Sequence, residues 1–324
     1  MYAIRSKVNI NQLSIPIALK LFDALIKPIL LYASEVWEPF IKNDPDEWDK
    51  NDIEKIYLQF LKQILGVNRS ATTVMVRGEL NRHSLQEEIL RRNINYAKYI
   101  QEKEGRSIVK QAYTYELNKS LEGANAKTFF STMQKHSTDM YNITKTFCPY
   151  SDPFVNIYET KKLRKVTTEL FHTEWKKQLD LKVKAETYRS FKETMKFENY
   201  LLHRNRKERV AMTKLRISDH KLMIEVGRHN RPITPREERL CHMCNNEVED
   251  EIHFITTCQI YGTQNKMWNE IYRKYPQTAQ LNNKDKFIFL MTQEDQEIIN
   301  ELMKRNYEWQ RLRNFLCEYF YQEK

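Results

Sequence analysis

The sequence predicts a mainly α architecture, helical bundles with one small metal-stapled knuckle toward the C-terminus. Only six glycines and nine prolines occur in 324 residues. Lys, Leu, Glu, Ile and Asn abound, a balance that favours long helices over strands and tight turns. Hydrophobic residues make up 41% and aromatic residues 12%, ample for buried cores in the two or three domains a chain of this size normally makes. The third observation is that three of the five cysteines crowd into Cys241-His242-Met243-Cys244, then His253, then Cys258.

Residues 15 to 66 read as two helices. Pro16 sits near the first position of one, where its missing N–H costs nothing. In the second, Ile53, Ile56, Tyr57, Phe60, Leu61, Ile64 and Leu65 form an apolar stripe that Gly66 ends. After the loop Val67-Asn68-Arg69-Ser70, helix resumes around Ser84, with Ser84-Leu85-Gln86-Glu87 as a capping box, and runs on to about Leu121. Residues 123–160 hold Gly123, Cys148-Pro149 and Asp152-Pro153 and read as a connector. The helical pattern returns from about 163 to 225, where Leu170, Trp175, Leu179 and Val183 recur near helical period and are assigned to packing. Arg231-Pro232-Ile233-Thr234-Pro235-Arg236 is an extended lead into the knuckle, residues 236–262, because each proline disfavours helix in the residue before it. Residues 263–324 close the chain with one helix through Trp268 and another from Glu297 to Phe320. The longest apolar stretch, Ile15 to Trp37, is broken by Lys20, Asp23, Lys27 and Pro28, so no bilayer span is expected.

The cysteine run has the form C-x2-C-x8-H-x4-C. Cys241, Cys244 and Cys258 offer one zinc ion three thiolates, and His253 an imidazole, a closed tetrahedral set. His242, next to Cys241, is expected to point away from the site. Four protein ligands leave no position for water, so the zinc is expected to be structural, folding a knuckle too small to build its own core. A disulfide pairing is disfavoured, since an odd thiol would remain and no secretory signal precedes the run. Cys148 and Cys317 read as small buried apolar groups. The acidic run Glu249-Asp250-Glu251 suits the first turn of a helix starting near Ile252, where carboxylates cap and favour the dipole.

The formal net charge of +10 is regional: residues 161 to 240 carry 22 Lys or Arg against 11 Asp or Glu, the rest of the chain 31 against 32. Phe171, Trp175, Tyr188, Phe191, Phe197 and Tyr200 are interleaved with these cations. Arg204, Arg206, Lys207 and Arg209 then follow, with Glu208 the one acid among them. Clustered cations suit phosphate neutralisation, and aromatic rings suit base stacking. Arg204, Arg206, Lys207, Arg209, Lys214, Arg216, Arg228 and Arg231 are therefore the candidate nucleic-acid contacts. The plainer alternative makes the aromatics core and the charges a solvated face.

Several ordered segments resemble one known family. Leu21-Phe22-Asp23-Ala24-Leu25-Ile26 and Pro28-Ile29-Leu30-Leu31-Tyr32-Ala33-Ser34-Glu35-Val36-Trp37 resemble the region that follows the polymerase core in LINE-type, non-LTR retrotransposon reverse transcriptases, with Ala33 where glycine is usual. Phe60-Leu61-Lys62, Ile64-Leu65-Gly66-Val67, Val76-Arg77-Gly78-Glu79-Leu80, Leu215-Arg216-Ile217-Ser218-Asp219-His220 and Glu225-Val226-Gly227-Arg228 are similar to the same proteins. The run Arg236 to Phe254 resembles their C-terminal zinc knuckle. The resemblance implies that residues 1–122 are a thumb- or connection-like region, 161–235 a basic helical region, and 236–262 the knuckle, with fingers and palm absent.

Reverse transcription needs paired carboxylates that hold two metal ions, and the chain contains no Asp-Asp pair. No polymerase activity is expected. The restriction-like endonuclease of some such elements carries a Pro-Asp step beyond the knuckle. Here the only proline after Cys258 is Pro276, followed by Gln277, so nuclease activity is not expected either. The resemblance implies a zinc-stabilised module that binds RNA or DNA, preferentially single-stranded, in partnership with a full-length element polymerase and without a membrane. Reduced cysteines point to cytoplasm or nucleus, and Lys161-Lys162-Leu163-Arg164-Lys165 is a weak nuclear address. The competing readings are a structural or protein-interaction zinc module and a decayed, non-functional element.

Overall fold

A computed structural model describes residues 10–37, 45–121, 160–261 and 264–321. The protein is mainly α. Its principal helices are α1 (Ile15–Leu21), α2 (Asp52–Leu65), α3 (Thr73–Leu80), α4 (Leu85–Gln101), α5 (Ile108–Leu121), α6 (Thr160–Leu181), α7 (Arg206–Arg216), α8 (Gln264–Lys274), α9 (Asn283–Met291) and α10 (Gln296–Tyr321). No strand forms among the described residues, which hold one isolated antiparallel bridge, Leu240 to Val248. Nor is any described helix long and apolar enough to cross a membrane. The connector expected at 123–160 lies outside the described residues except for residue 160, where α6 begins, and Cys148 lies outside them too.

Two compact units divide the chain. One comprises Met1–Ala18, Phe60–Asn81 and Leu179–Lys324, the other Leu19–Gln59 and Arg82–Gln178. In the second, Phe22, Leu31, Trp48, Tyr57, Ile89, Leu90, Ile94 and Trp175 are buried, and Phe22 packs on Tyr57 with ring centroids 5.1 Å apart. Glu54 is wholly buried there, accepting hydrogen bonds from Trp48 Nε1 and from the backbone N of Leu85, both at 2.9 Å. The expected capping box does not form, since Glu87 N bonds the Ser84 carbonyl at 3.2 Å rather than its hydroxyl. The first-turn N–H of α4 is taken by Glu54, the Ser84 hydroxyl finds no partner, and Glu87 instead accepts from Thr168 Oγ1 at 2.9 Å.

In the first unit α2 ends as its sequence predicts. Gly66 has φ +72°, with Gly66 N donating to Gln63 O and Val67 N to Lys62 O, both at 3.1 Å. This is the paired carbonyl closure of a left-handed helix stop. A Cβ there would come within 2.5 Å of Val210, so the glycine also admits α7. Asn205 caps α7 by accepting from Lys207 N at 3.1 Å. Gln310 of α10 donates to Ala211 O at 3.2 Å, tying α10 to α7 above a core that includes Met212, Leu215, Leu302, Met303 and Trp309. Helix α9 was not distinguished as a separate element in the sequence reading, though Asn282 caps it through Asp285 N at 2.9 Å.

Two packing expectations change. Val183 is 77% exposed because α6 stops at Leu181 and Val183 falls in a short 3-10 turn, so the helical period no longer applies. Of the six interleaved aromatics, Trp175, Tyr188, Phe191 and Tyr200 are buried and cannot stack on a base, while Phe171 and Phe197 are half-buried.

Candidate metal centre

Four side chains separated by up to 17 positions in sequence meet at one point. The donor atoms of Cys241, Cys244, His253 and Cys258 all lie within 4.8 Å of one another, a set that could hold one metal ion. The sequence builds this locally. Cys241 N donates to Glu247 O at 2.8 Å, Asn245 N to Cys241 O at 2.8 Å and Glu249 N to Arg239 O at 2.9 Å, closing a tight turn around Cys241 and Cys244. Asn245 adopts φ +54°, a left-handed conformation that asparagine tolerates better than most residues. Asp250 Oδ1 then accepts from His253 N at 2.8 Å, and a single π turn, His253–Thr257, returns Cys258 to the cluster.

Cys241 Sγ lies 3.9 Å from Cys258 Sγ, and Cys244 Sγ 3.4 Å from His253 Nε2. His253 Nδ1 is 2.9 Å from Glu247 Oε2, so Glu247 fixes the ring with Nε2 turned to the thiols. Thr257 Oγ1 is 3.1 Å from Glu247 Oε2 and 2.8 Å from His253 Nδ1. The hydrogen bond to Cys258, with burial, pushes the Cys241 thiol up to about 12, while that same contact lowers Cys258. Burial opposes the charged form of His253, but Cys241 and Glu247 outweigh it and hold the ring at about 9. His242 stays out of the cluster, as expected, and faces Cys317 with Nδ1 3.8 Å from Sγ.

The acidic run beside His253 does more than cap. Asp250 plays the expected helix-start role, whereas Glu249 and Glu251 are buried. Glu249 receives Arg313 Nε and Nη2, each at 2.6 Å, and Met223 N at 2.7 Å. Glu251 receives Ser218 Oγ at 2.6 Å and lies 3.0 Å from His220 Nε2. These contacts moor the knuckle to α10 and to the turn after α7. The spacing of the sequence carries no sign of them, because each partner lies more than 25 positions away.

The eight candidate nucleic-acid residues separate by burial. Arg204, Lys207 and Arg231 are exposed, and Arg206, Lys214 and Arg228 half-buried. Arg206 donates to Asn11 Oδ1 at 3.1 Å, and Arg228 Nε is 3.5 Å from Glu225. Arg209 and Arg216 are buried, which corrects their assignment as phosphate contacts. Arg209 donates to His203 O at 2.6 Å. Arg216 Nε and Nη2 reach Glu79 at 2.8 and 3.2 Å, Nη2 also reaches Glu198 at 3.2 Å, and Nη1 reaches Met291 O at 2.7 Å. Tyr188 and Tyr200 donate to the same Glu79 at 3.0 and 2.6 Å, and Lys192 pairs with Glu198. In this unit the exposed aromatic pair is instead Phe315 and Tyr319 on α10, 63% and 69% exposed and stacked at 6.2 Å, a pair that the sequence reading did not single out.

Compared with protein families, with curated proteins and with solved structures, the chain matches none.

Proposed function

We propose that this chain is a zinc-stabilised nucleic-acid-binding module of the kind found C-terminal to the polymerase core in non-LTR retrotransposon reverse transcriptases, without polymerase activity of its own. The observation that carries the reading is the donor set of Cys241, Cys244, His253 and Cys258. A tetrahedral zinc with its usual bond lengths sets thiolates ~3.8 Å apart and a thiolate ~3.6 Å from an imidazole, and the 3.9 and 3.4 Å separations fit it. When bound, the ion supplies a cross-link; Cys241, Cys244, Cys258 and His253 fill every tetrahedral position and leave none for a substrate.

Arg204, Lys207 and Arg231 are the exposed members of the basic set and supply the sequence-independent, salt-sensitive attraction to phosphates. The series of segments resembling the retrotransposon proteins supports the choice of nucleic acid as partner, and the same resemblance supports a full-length element polymerase as the protein partner. A structural or protein-interaction module is the competing reading, favoured by the mooring of Glu249 and Glu251 into the core.

Binding of the zinc-loaded chain to fluorescent single-stranded RNA, single-stranded DNA and duplex, measured across a salt series, separates the two. The module reading expects affinity that falls steeply with salt and favours single strands, with a shallower slope when Arg204, Lys207 and Arg231 are changed to Gln together. No binding at low salt by folded, zinc-loaded protein would overturn it.

A further inference from the structure

A cleft of about 220 Å³ opens between the end of α7, the turn after it and α10. Lys214, Lys221 and Asn314 line it over a floor that includes Leu215 and Leu222, and Asp219 and His220 form part of the wall. The polar wall is already committed to the fold. Asp219 spends both oxygens on Asn68, accepting from its backbone N at 2.8 Å and from Nδ2 at 2.9 Å. His220 faces Glu251 with Nε2 at 3.0 Å and accepts from Leu222 N through Nδ1 at 3.3 Å. Arg313, also in the lining, is held bidentately by Glu249.

Lys214 and Lys221 are different. Neither has a carboxylate within ion-pair distance among the described residues. Both lysines line the cleft with Asp219 as the one acid of its lining, and Asp219 is already hydrogen-bonded to Asn68, so the lining keeps a cationic surplus that a bound anion relieves. The cleft is smaller than the roughly 300–1,000 Å³ of sites that enclose a whole small molecule, and its size suits a single phosphate group. Lysine acts here as a point charge for phosphate rather than a planar fork.

We infer that this cleft is a phosphate subsite that seats one phosphodiester of a single-stranded nucleic acid between Lys214 and Lys221. The inference rests on the nucleic-acid reading above and adds a residue, Lys221, and a place that the charge pattern alone does not supply.

The test uses the full zinc-loaded chain, its Lys214→Gln/Lys221→Gln double variant and a Lys284→Gln control on α9. Each is titrated with a fluorescent single-stranded oligonucleotide across a salt series, and separately with inorganic phosphate followed by calorimetry. Zinc content and helical circular dichroism confirm that each protein is folded. The expected result is weaker oligonucleotide binding by the double variant, with the slope of log affinity against log salt shallower by about 0.7 for each lysine lost, and an unchanged control. Wild-type protein that binds but a double variant with the same affinity and slope would overturn the cleft while leaving the nucleic-acid reading intact. Wild-type protein that binds no oligonucleotide would overturn that reading itself. Phosphate binding lost in the double variant with oligonucleotide binding untouched would assign the cleft to free phosphate and overturn the strand assignment.

Discussion

The knuckle and the Glu79–Arg216 network are both polar assemblies inside one unit, and they were unequally readable. The knuckle draws four donors from 18 consecutive positions, Cys241 to Cys258, and their spacing announced a metal site. The network draws Glu79, Tyr188, Lys192, Glu198, Tyr200 and Arg216 from across the chain, and in sequence its cations read as part of a basic surface. Local chemistry leaves a spacing; long-range chemistry leaves only a composition. Counting charges therefore overstated the face available to phosphate, since Arg209 and Arg216 neutralise or cap interior groups.

The largest expected effect breaks the network. Arg216→Ala leaves the Glu79 carboxylate buried without its guanidinium, and removing one partner of a buried pair costs about 3–5 kcal/mol. Denaturant unfolding should show it as a lowered midpoint, with zinc stoichiometry retained at low denaturant. A loss near zero would mean that Arg216 is solvated. The network should also be acid-labile. Burial alone would raise the Glu79 pKa, but Arg216 and Lys192 outweigh it and hold it below the ordinary 4.5. A depressed carboxylate contributes stability that is complete above its unfolded value and lost as pH falls through the native one. Stability should thus decline below pH 4.5, and much of that decline should vanish in Glu79→Gln, which will be less stable at neutral pH.

On the knuckle side, the sharpest comparison is between the ligands and the group that aims one of them. Cys244→Ser should abolish stoichiometric zinc, since it removes one of four donors. Glu247→Ala should retain zinc but weaken it by about 10–100-fold, the usual cost of losing the partner that orients a metal-bound imidazole. Competition with a chromogenic chelator measures both. Equal losses in the two variants would show Glu247 to be part of the coordination rather than its support.

How much was legible follows from the same distinction. The mainly α class, the stop at Gly66, the stripe through Tyr57, Phe60, Leu61, Ile64 and Leu65, and the four-donor cluster all rest on residues within a few turns of one another, and the structure agrees. The capping box at Ser84 failed because Glu87 N bonds the Ser84 carbonyl instead of its hydroxyl, and the Glu87 carboxylate turns to Thr168, 81 positions away. Val183 failed because a helical period was carried two residues past the helix end. Glu249 and Glu251 were seen as a helix start, and their deeper role as moorings depends on Arg313, Ser218 and His220, which only the folded chain brings near.

The smallest expected effect concerns Thr257. His253 Nδ1 has two oxygen neighbours, Glu247 Oε2 at 2.9 Å and Thr257 Oγ1 at 2.8 Å. With Nε2 directed at the thiols, Nδ1 carries the proton, and the carboxylate is the stronger acceptor because it is charged. Thr257 then donates its own hydroxyl proton to Glu247 or to His253 O, which it reaches at 3.1 and 3.3 Å, and it supports the carboxylate rather than the ring. Thr257→Val removes one neutral hydrogen bond, a loss of about 0.5–1.5 kcal/mol, and should weaken zinc by no more than roughly tenfold, less than Glu247→Ala. If Thr257→Val instead matched Glu247→Ala, the hydroxyl would be the acceptor that fixes the ring, and the double variant would show no further loss.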